Sequence, residues 1–160
     1  MTGHAPMHLL TEQSIEIARP SAAVYRHASN LERFGEWFPG VLAIVSANDL
    51  PHASVGKAYR ETVEVPGRGR IDVRVEVREA RPDAWLATEG DLQPLLPRME
   101  MQFAAPTPHT CRLTWRMWSR HAGDDAFVRA TLWPAAGRLT SQRAADGLAA
   151  LKQQLERTAP

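Results

Sequence analysis

The stretch Pro66-Gly67-Arg68-Gly69-Arg70-Ile71-Asp72-Val73-Arg74-Val75-Glu76-Val77-Arg78 sets the character of the chain. From Ile71 onward, branched apolar residues alternate with charged ones, the period-two pattern of a strand with one buried and one wet face. The Pro-Gly-Arg-Gly segment ahead of it supplies the backbone freedom of a hairpin turn. This run spans roughly 70–79, and five more β-type runs flank it at about 41–47, 57–65, 84–91, 98–105 and 110–120. Met99, Met101 and Phe103 alternate with Arg98, Glu100 and Gln102, and Leu113, Trp115 and Met117 with Arg112, Thr114 and Arg116. Short turn-linked strands of this kind predict one antiparallel sheet with a single buried face.

Upstream, Met1 to His8 reads as a loose start, followed by Thr11, Gln13, Ile15 and Ile17 at strand spacing up to Pro20. Ile15 and Ile17 are expected to face inward. Pro20 and Ser21 open a short helix, with Ser21 available as a cap, and Asn30 caps a second through Leu31, Phe34 and Trp37. Pro39 and Gly40 stop it. Downstream, Ala144, Leu148, Leu151 and Leu155 form an apolar stripe on a long helix. The Trp133-Pro134 pair predicts a kink, or a break at which Pro134 begins a new helix. Neither a repeat nor a linker interrupts residues 1–160, so one domain is expected.

Composition narrows the function classes. The chain has 160 residues, 44% hydrophobic and 23% charged, with 19 basic and 18 acidic residues for a net charge of +1. No basic excess is available to neutralise phosphates, so nucleic acid is not an expected partner. The longest uncharged window, Trp37 to Asn48, is far short of the ~20 apolar residues of a membrane helix, so no integral membrane contact is expected. With no cationic start followed by an apolar run, the expected location is cytoplasmic. A lone Cys111 excludes an internal disulfide and a multi-cysteine zinc site. His4, His8, His27, His52, His109 and His121 show no zinc-type spacing, so no metal is expected. No cofactor is expected either, since the turn at Arg68-Gly69-Arg70 is too short to cradle a phosphate.

The order strand, two short helices, six strands and a long C-terminal helix, together with three passages, resembles the helix-grip superfamily of START-related lipid-transfer proteins and polyketide cyclases. The passages are Ile15-Glu16-Ile17-Ala18-Arg19-Pro20 leading into Val24-Tyr25, then Asn30-Leu31-Glu32-Arg33-Phe34 with Trp37-Phe38-Pro39-Gly40-Val41, and finally Gly147-Leu148-Ala149-Ala150-Leu151-Lys152 with Leu155-Glu156. The resemblance implies an α+β fold in which a curved seven-stranded antiparallel sheet grips the C-terminal helix over an apolar cavity. It implies no catalytic residue, because the superfamily has no universal catalytic motif.

Strand parity nominates cavity residues: Met99, Met101, Phe103, Leu113, Trp115 and Met117, with Tyr59, Glu61 and Val63 from another strand and Trp85 from a third. Phe127 and Trp133 are candidates for closing the cavity from the helix side. These side chains either line a soft, aromatic-rich binding site or simply pack against one another. Glu61, Glu89 and Asp91 are the acids assigned inward parity. A carboxyl in an apolar cavity has a raised pKa and suits proton transfer, whereas one at a strand edge is solvated or paired. His121, following the last strand, is a second catalytic candidate if it reaches the cavity mouth. Outward Arg112 and Arg116 are expected to pair across strands with Glu12, Glu16 and Glu100.

Three functions fit. One is binding or transport of a hydrophobic small molecule such as a lipid, isoprenoid or polyaromatic compound. Another is a cyclase or dehydratase acting through Glu61 or His121. The third is docking of a protein partner through exposed Phe34 or Trp37, as in the coenzyme-Q-binding branch of the superfamily.

Overall fold

In the computed structural model, which describes residues 6–157, seven antiparallel strands follow the sheet order β1-β7-β6-β5-β4-β3-β2. They are β1 (His8–Ile17), β2 (Val41–Ser46), β3 (Ala58–Val65), β4 (Gly69–Arg81), β5 (Trp85–Gly90), β6 (Pro97–Thr107) and β7 (Thr110–Ser119). All six runs after residue 40 are strands within a few residues of their expected limits. Of the expected loose start, Met1 to Ala5, His4 among them, lie outside the described residues. His8 is not loose: it pairs with Ser119 at the beginning of β1.

Helix α1 (Ser21–Ala28) and a 3₁₀ helix (Leu31–Glu36) join β1 to β2. Asn30 caps the latter by accepting from the Glu32 N–H. Ser21 caps nothing; its hydroxyl donates instead to the Ala104 carbonyl, tying α1 to β6. The long C-terminal helix α2 (Trp133–Arg157) is entered through a π turn at Val128–Leu132. The Trp133 N–H bonds five residues back to the Val128 carbonyl. Pro134 has no N–H to give, and its ring would crowd the carbonyl four residues earlier; the wider turn makes room, so of the expected kink or break the break does not occur, and the chain stays helical through Pro134.

Register fixes which side chains face the helix. Met99 opposes Met117, Met101 opposes Trp115 and Phe103 opposes Leu113, all on the concave face. On β5 the inward residues are Leu86, Thr88 and Gly90, because Leu86 pairs with Met101 and Thr88 with Met99. Trp85 and Glu89 therefore lie on the convex face, against the expected parity. A bulge between Val77 and Glu79 adds one residue to β4 and reverses the alternation carried into β5. There one oxygen of Glu89 meets Arg98 and the other lies near Arg78 and Arg120; Arg98 also holds Glu79 and Glu100, at 3.0, 3.0 and 2.9 Å for Glu89, Glu79 and Glu100 respectively. Trp85 donates its indole N–H to Glu79. Asp91, just past the end of β5, is exposed. The outer pairs Arg116–Glu12 and Arg112–Glu16 form as expected, while Glu100 is taken by Arg98 and Trp118.

The concave face divides along the strands. At one end Ile17, Leu86, Phe103, Cys111 and Leu113 are buried under Val24, Tyr25 and Ala28 of α1 and the Leu148, Leu151 and Leu155 stripe of α2. Gly147 lets α2 approach the Trp37 carbonyl, where a Cβ would come within 3.1 Å. Phe34, Trp37 and Phe38 pack together here, ring on ring. Phe34 and Trp37 are 5% and 3% exposed, so neither is the open docking residue that the third function requires.

Candidate functional site

At the other end of the concave face the packing is incomplete, leaving a partly open cavity of about 390 Å³. Its floor comes from the inward positions of the central strands: Val73 and Val75 of β4, Thr88 of β5, Met99 of β6, and Trp115 and Met117 of β7. Glu61 and Val63 of β3 and Val41 of β2 form one wall, with Leu31, Phe34 and Phe38 behind them. The roof is the first half of α2, where Ala135, Ala136 and Thr140 surround a single leucine, Leu139, in place of the three-leucine stripe found further along. Those short side chains are why the sheet and helix do not close on each other.

Glu61 is the one acid among the described residues of this surface. It lies mid-strand, opposite Val73 on one side and Ile44 on the other, both buried. Its carboxyl has no hydrogen-bond or ion-pair partner among the described residues. Burial in this apolar setting pushes its pKa up from 4.5 to about 7. The indole N–H of fully buried Trp115 is likewise without an acceptor among the described residues. Thr140 turns its hydroxyl back onto the Ala136 carbonyl of its own helix.

The open side is bordered by the β3–β4 turn, the loop after β5 and α2. Arg68 of the turn donates to the Gln93 carbonyl at 3.4 Å, and Arg143 of α2 donates to the Glu64 carbonyl at 3.1 Å. Both arginines line the cavity.

Of the residues nominated from sequence, Glu61, Val63, Met99, Trp115 and Met117 meet in this cavity. The others sit elsewhere. Tyr59 shares the face of Glu61 but is completely buried beyond the cavity, its hydroxyl bonded to His52 Nδ1 and its pKa pushed up to about 12 by burial. Met101 and Phe103 belong to the packed half, Phe103 edge-on to Tyr25. Trp85 is on the convex face. Phe127, ahead of the π turn, is 61% exposed. Trp133 neither lines nor plugs the cavity: its ring stacks on His8 at 4.0 Å in a shallow groove, and Leu132 faces inward instead. His121 stands behind the loop after β5, its Nδ1 3.0 Å from the Pro94 carbonyl, so it holds that loop without lining the cavity.

Sequence reasoning did not find Thr88, Arg68, Arg143 or the alanines of α2. Thr88 was hidden by the reversed parity of β5. The alanine pair Ala135-Ala136 was the available signal for a thin roof. Among the described residues no group of three or more His, Cys, Asp or Glu converges on a possible metal position, and no helix is long and apolar enough to cross a membrane.

Solved structures of similar fold include the di-domain aromatase/cyclase StfQ from the steffimycin biosynthetic pathway, at 16% identity and a TM-score of 0.70 over 92% of this chain. This chain spans 50% of StfQ. A START superfamily protein from Mycobacterium smegmatis matches at 14% identity and a TM-score of 0.68, over 96% of this chain and 99% of that one. The Zhui aromatase/cyclase from Streptomyces sp. R1128 matches at 19% identity and a TM-score of 0.67, over 95% of both. At these identities the likeness is one of fold. A search of curated protein sequences finds no match. The family model for polyketide cyclase / dehydrase and lipid transport proteins matches residues 8–156, from the first residue of β1 almost to the end of α2, and the chain belongs to that family.

Proposed function

We propose that the chain binds one hydrophobic small molecule between the sheet and the first half of α2. The observation that carries this reading is the cavity of about 390 Å³, walled by valines, methionines, Trp115 and phenylalanines and open at one side. That volume falls within the range of small-molecule pockets, roughly 300–1,000 Å³, and methionine and aromatic walls adapt to varied apolar shapes. Family membership supports ligand binding or polyketide processing in general terms. Native mass spectrometry of freshly purified protein, with displacement of the neutral fluorescent probe N-phenyl-1-naphthylamine, tests it. The expected result is one saturable site per chain; failure of the probe and of hydrophobic competitors to bind rejects it.

A second reading, a cyclase or dehydratase type of enzyme, is favoured by one observation. Glu61 is an unpartnered carboxyl in the cavity, with a pKa near neutrality and therefore able to give or take a proton at working pH. Under this reading Glu61→Gln retains probe binding and abolishes turnover of a polyketide-type substrate. Unchanged turnover removes Glu61 from the chemistry.

A further inference from the structure

Two guanidiniums border an otherwise apolar cavity, and neither has an anionic partner among the described residues. Arg68 and Arg143 each make one hydrogen bond, to the Gln93 and Glu64 main-chain carbonyls. Neither forms an ion pair with a described residue, in contrast to Arg98, Arg112 and Arg116 elsewhere on the sheet. An arginine carries five N–H donors in a rigid fork, so most of each fork is unspent. Arg143 is also held in place. Its guanidinium occupies the space that a Cβ on Gly40 would take, with Nη1 and Cζ at 2.4 Å from that position. Gly40, at φ +85°, both turns the chain after the 3₁₀ helix and makes that space available.

The deep end of the cavity has the opposite chemistry. Its walls are apolar, and Glu61, the one acid there, would repel an anion when ionised. A negative charge on a ligand is therefore disfavoured inside and favoured at the open side. Resting on the binding reading above, we infer that the ligand is an amphiphile that enters apolar end first and leaves an anionic head, a carboxylate or a phosphate, between Arg68 and Arg143. A charge-assisted bond from such a fork is stronger than a neutral one and directional.

The test compares ligands that share an apolar body. N-phenyl-1-naphthylamine is bound to the intact protein and displaced with decanoate, decyl phosphate, methyl decanoate or decanol, at low and high salt. The same titrations are run on Arg68→Gln, Arg143→Gln and the double variant, each checked for folding by circular dichroism. The expected result is that decanoate or decyl phosphate binds about fivefold or more tightly than its neutral counterpart, as one or two partly exposed charge pairs give. High salt narrows that ratio, and the double variant abolishes it. Preference for decanoate identifies a carboxylate head and preference for decyl phosphate a phosphate head; both support the inference. Equal binding of the acids and neutral compounds to the unsubstituted protein overturns it while leaving the binding reading intact. A preference that survives in the folded double variant also overturns the assignment to these arginines. Should a variant fail to fold, the acid-to-neutral ratio of the unsubstituted protein and its salt dependence still decide the question. If the neutral probe itself does not bind, the binding reading fails and this inference with it.

Discussion

The guanidinium of Arg143 lies against the α-carbon of Gly40 so closely that a Cβ there would meet it at 2.4 Å. A residue in the last helix is thus seated by the absence of a side chain just before β2, across one border of the cavity. Gly40→Ala is expected to do two things. It forces an alanine to φ +85°, costing about 1–2 kcal/mol, and it drives Arg143 out of its seat. Chemical denaturation measures the first. The second is read as a loss of acid-over-ester selectivity at Arg143, with the neutral probe still bound; retained selectivity would show that Arg143 finds an equivalent position.

Glu61 makes stability depend on pH in a defined direction. Its carboxyl titrates at about 7 when folded and near the ordinary 4.5 when unfolded. The folded state therefore binds more protons between these values, so its contribution is fully present below pH 4.5 and is lost as pH rises towards 7. The difference amounts to at most about 3 kcal/mol, at 1.36 kcal/mol for each pH unit. Glu61→Gln is expected to flatten the stability curve in this window and to be the more stable form at pH 8. Parallel curves for the two proteins would contradict the burial assigned to this carboxyl.

The two halves of the concave face should respond differently to substitution. Ala136→Phe places a ring in the cavity beneath α2, and is expected to weaken probe binding at least about tenfold with little change in thermal midpoint, since space there is vacant. Leu151→Ala removes a completely buried side chain from the packed half and is expected to cost about 2–5 kcal/mol. Equal destabilisation by both changes would mean that the first half of α2 is packed as tightly as the second.

On the convex face, Arg98 gathers three carboxylates while only 6% of its side chain is exposed. Arg98→Met keeps the apolar stem and deletes the charge, leaving Glu100 with no cation and Glu89 with only its longer contacts to Arg78 and Arg120, at 3.4 and 3.5 Å. A cost of about 3 kcal/mol is expected, lessened by the solvent that reaches Glu79. Urea denaturation at pH 7 of Arg98→Met beside Arg98→Lys measures it: the lysine variant, which keeps a cation among the carboxylates, should lose less. Equal losses in the two variants would point to packing of the stem.

Local pattern reaches as far as faces and element order. The alternation at Ile71 to Arg78 and at Met99 to Phe103 needs nothing beyond the pleat, because a strand exposes successive side chains to opposite sides wherever it lies. In the same way the Leu148, Leu151 and Leu155 spacing marks one side of a helix. Trp85 escaped this logic because one bulged residue in β4, invisible in the alternation of β5 itself, reverses the parity.

The sequence by itself therefore determined the seven strands, the two short N-terminal helical segments, the long C-terminal helix and the placement of Glu61, Met99, Trp115 and Met117 on the inward face. Tertiary structure alone decided where along that face the protein is solid and where it is hollow. Met99 and Met101 are both inward on β6, yet one lines the cavity and the other is sealed in the core, according to which half of α2 passes above them. The same holds for Arg68 and Arg143, distant in the chain and brought to one opening by the closing of the helix over the sheet. Periodicity reports the direction of a side chain relative to its own backbone; whether the space it points into is filled depends on residues far away in sequence.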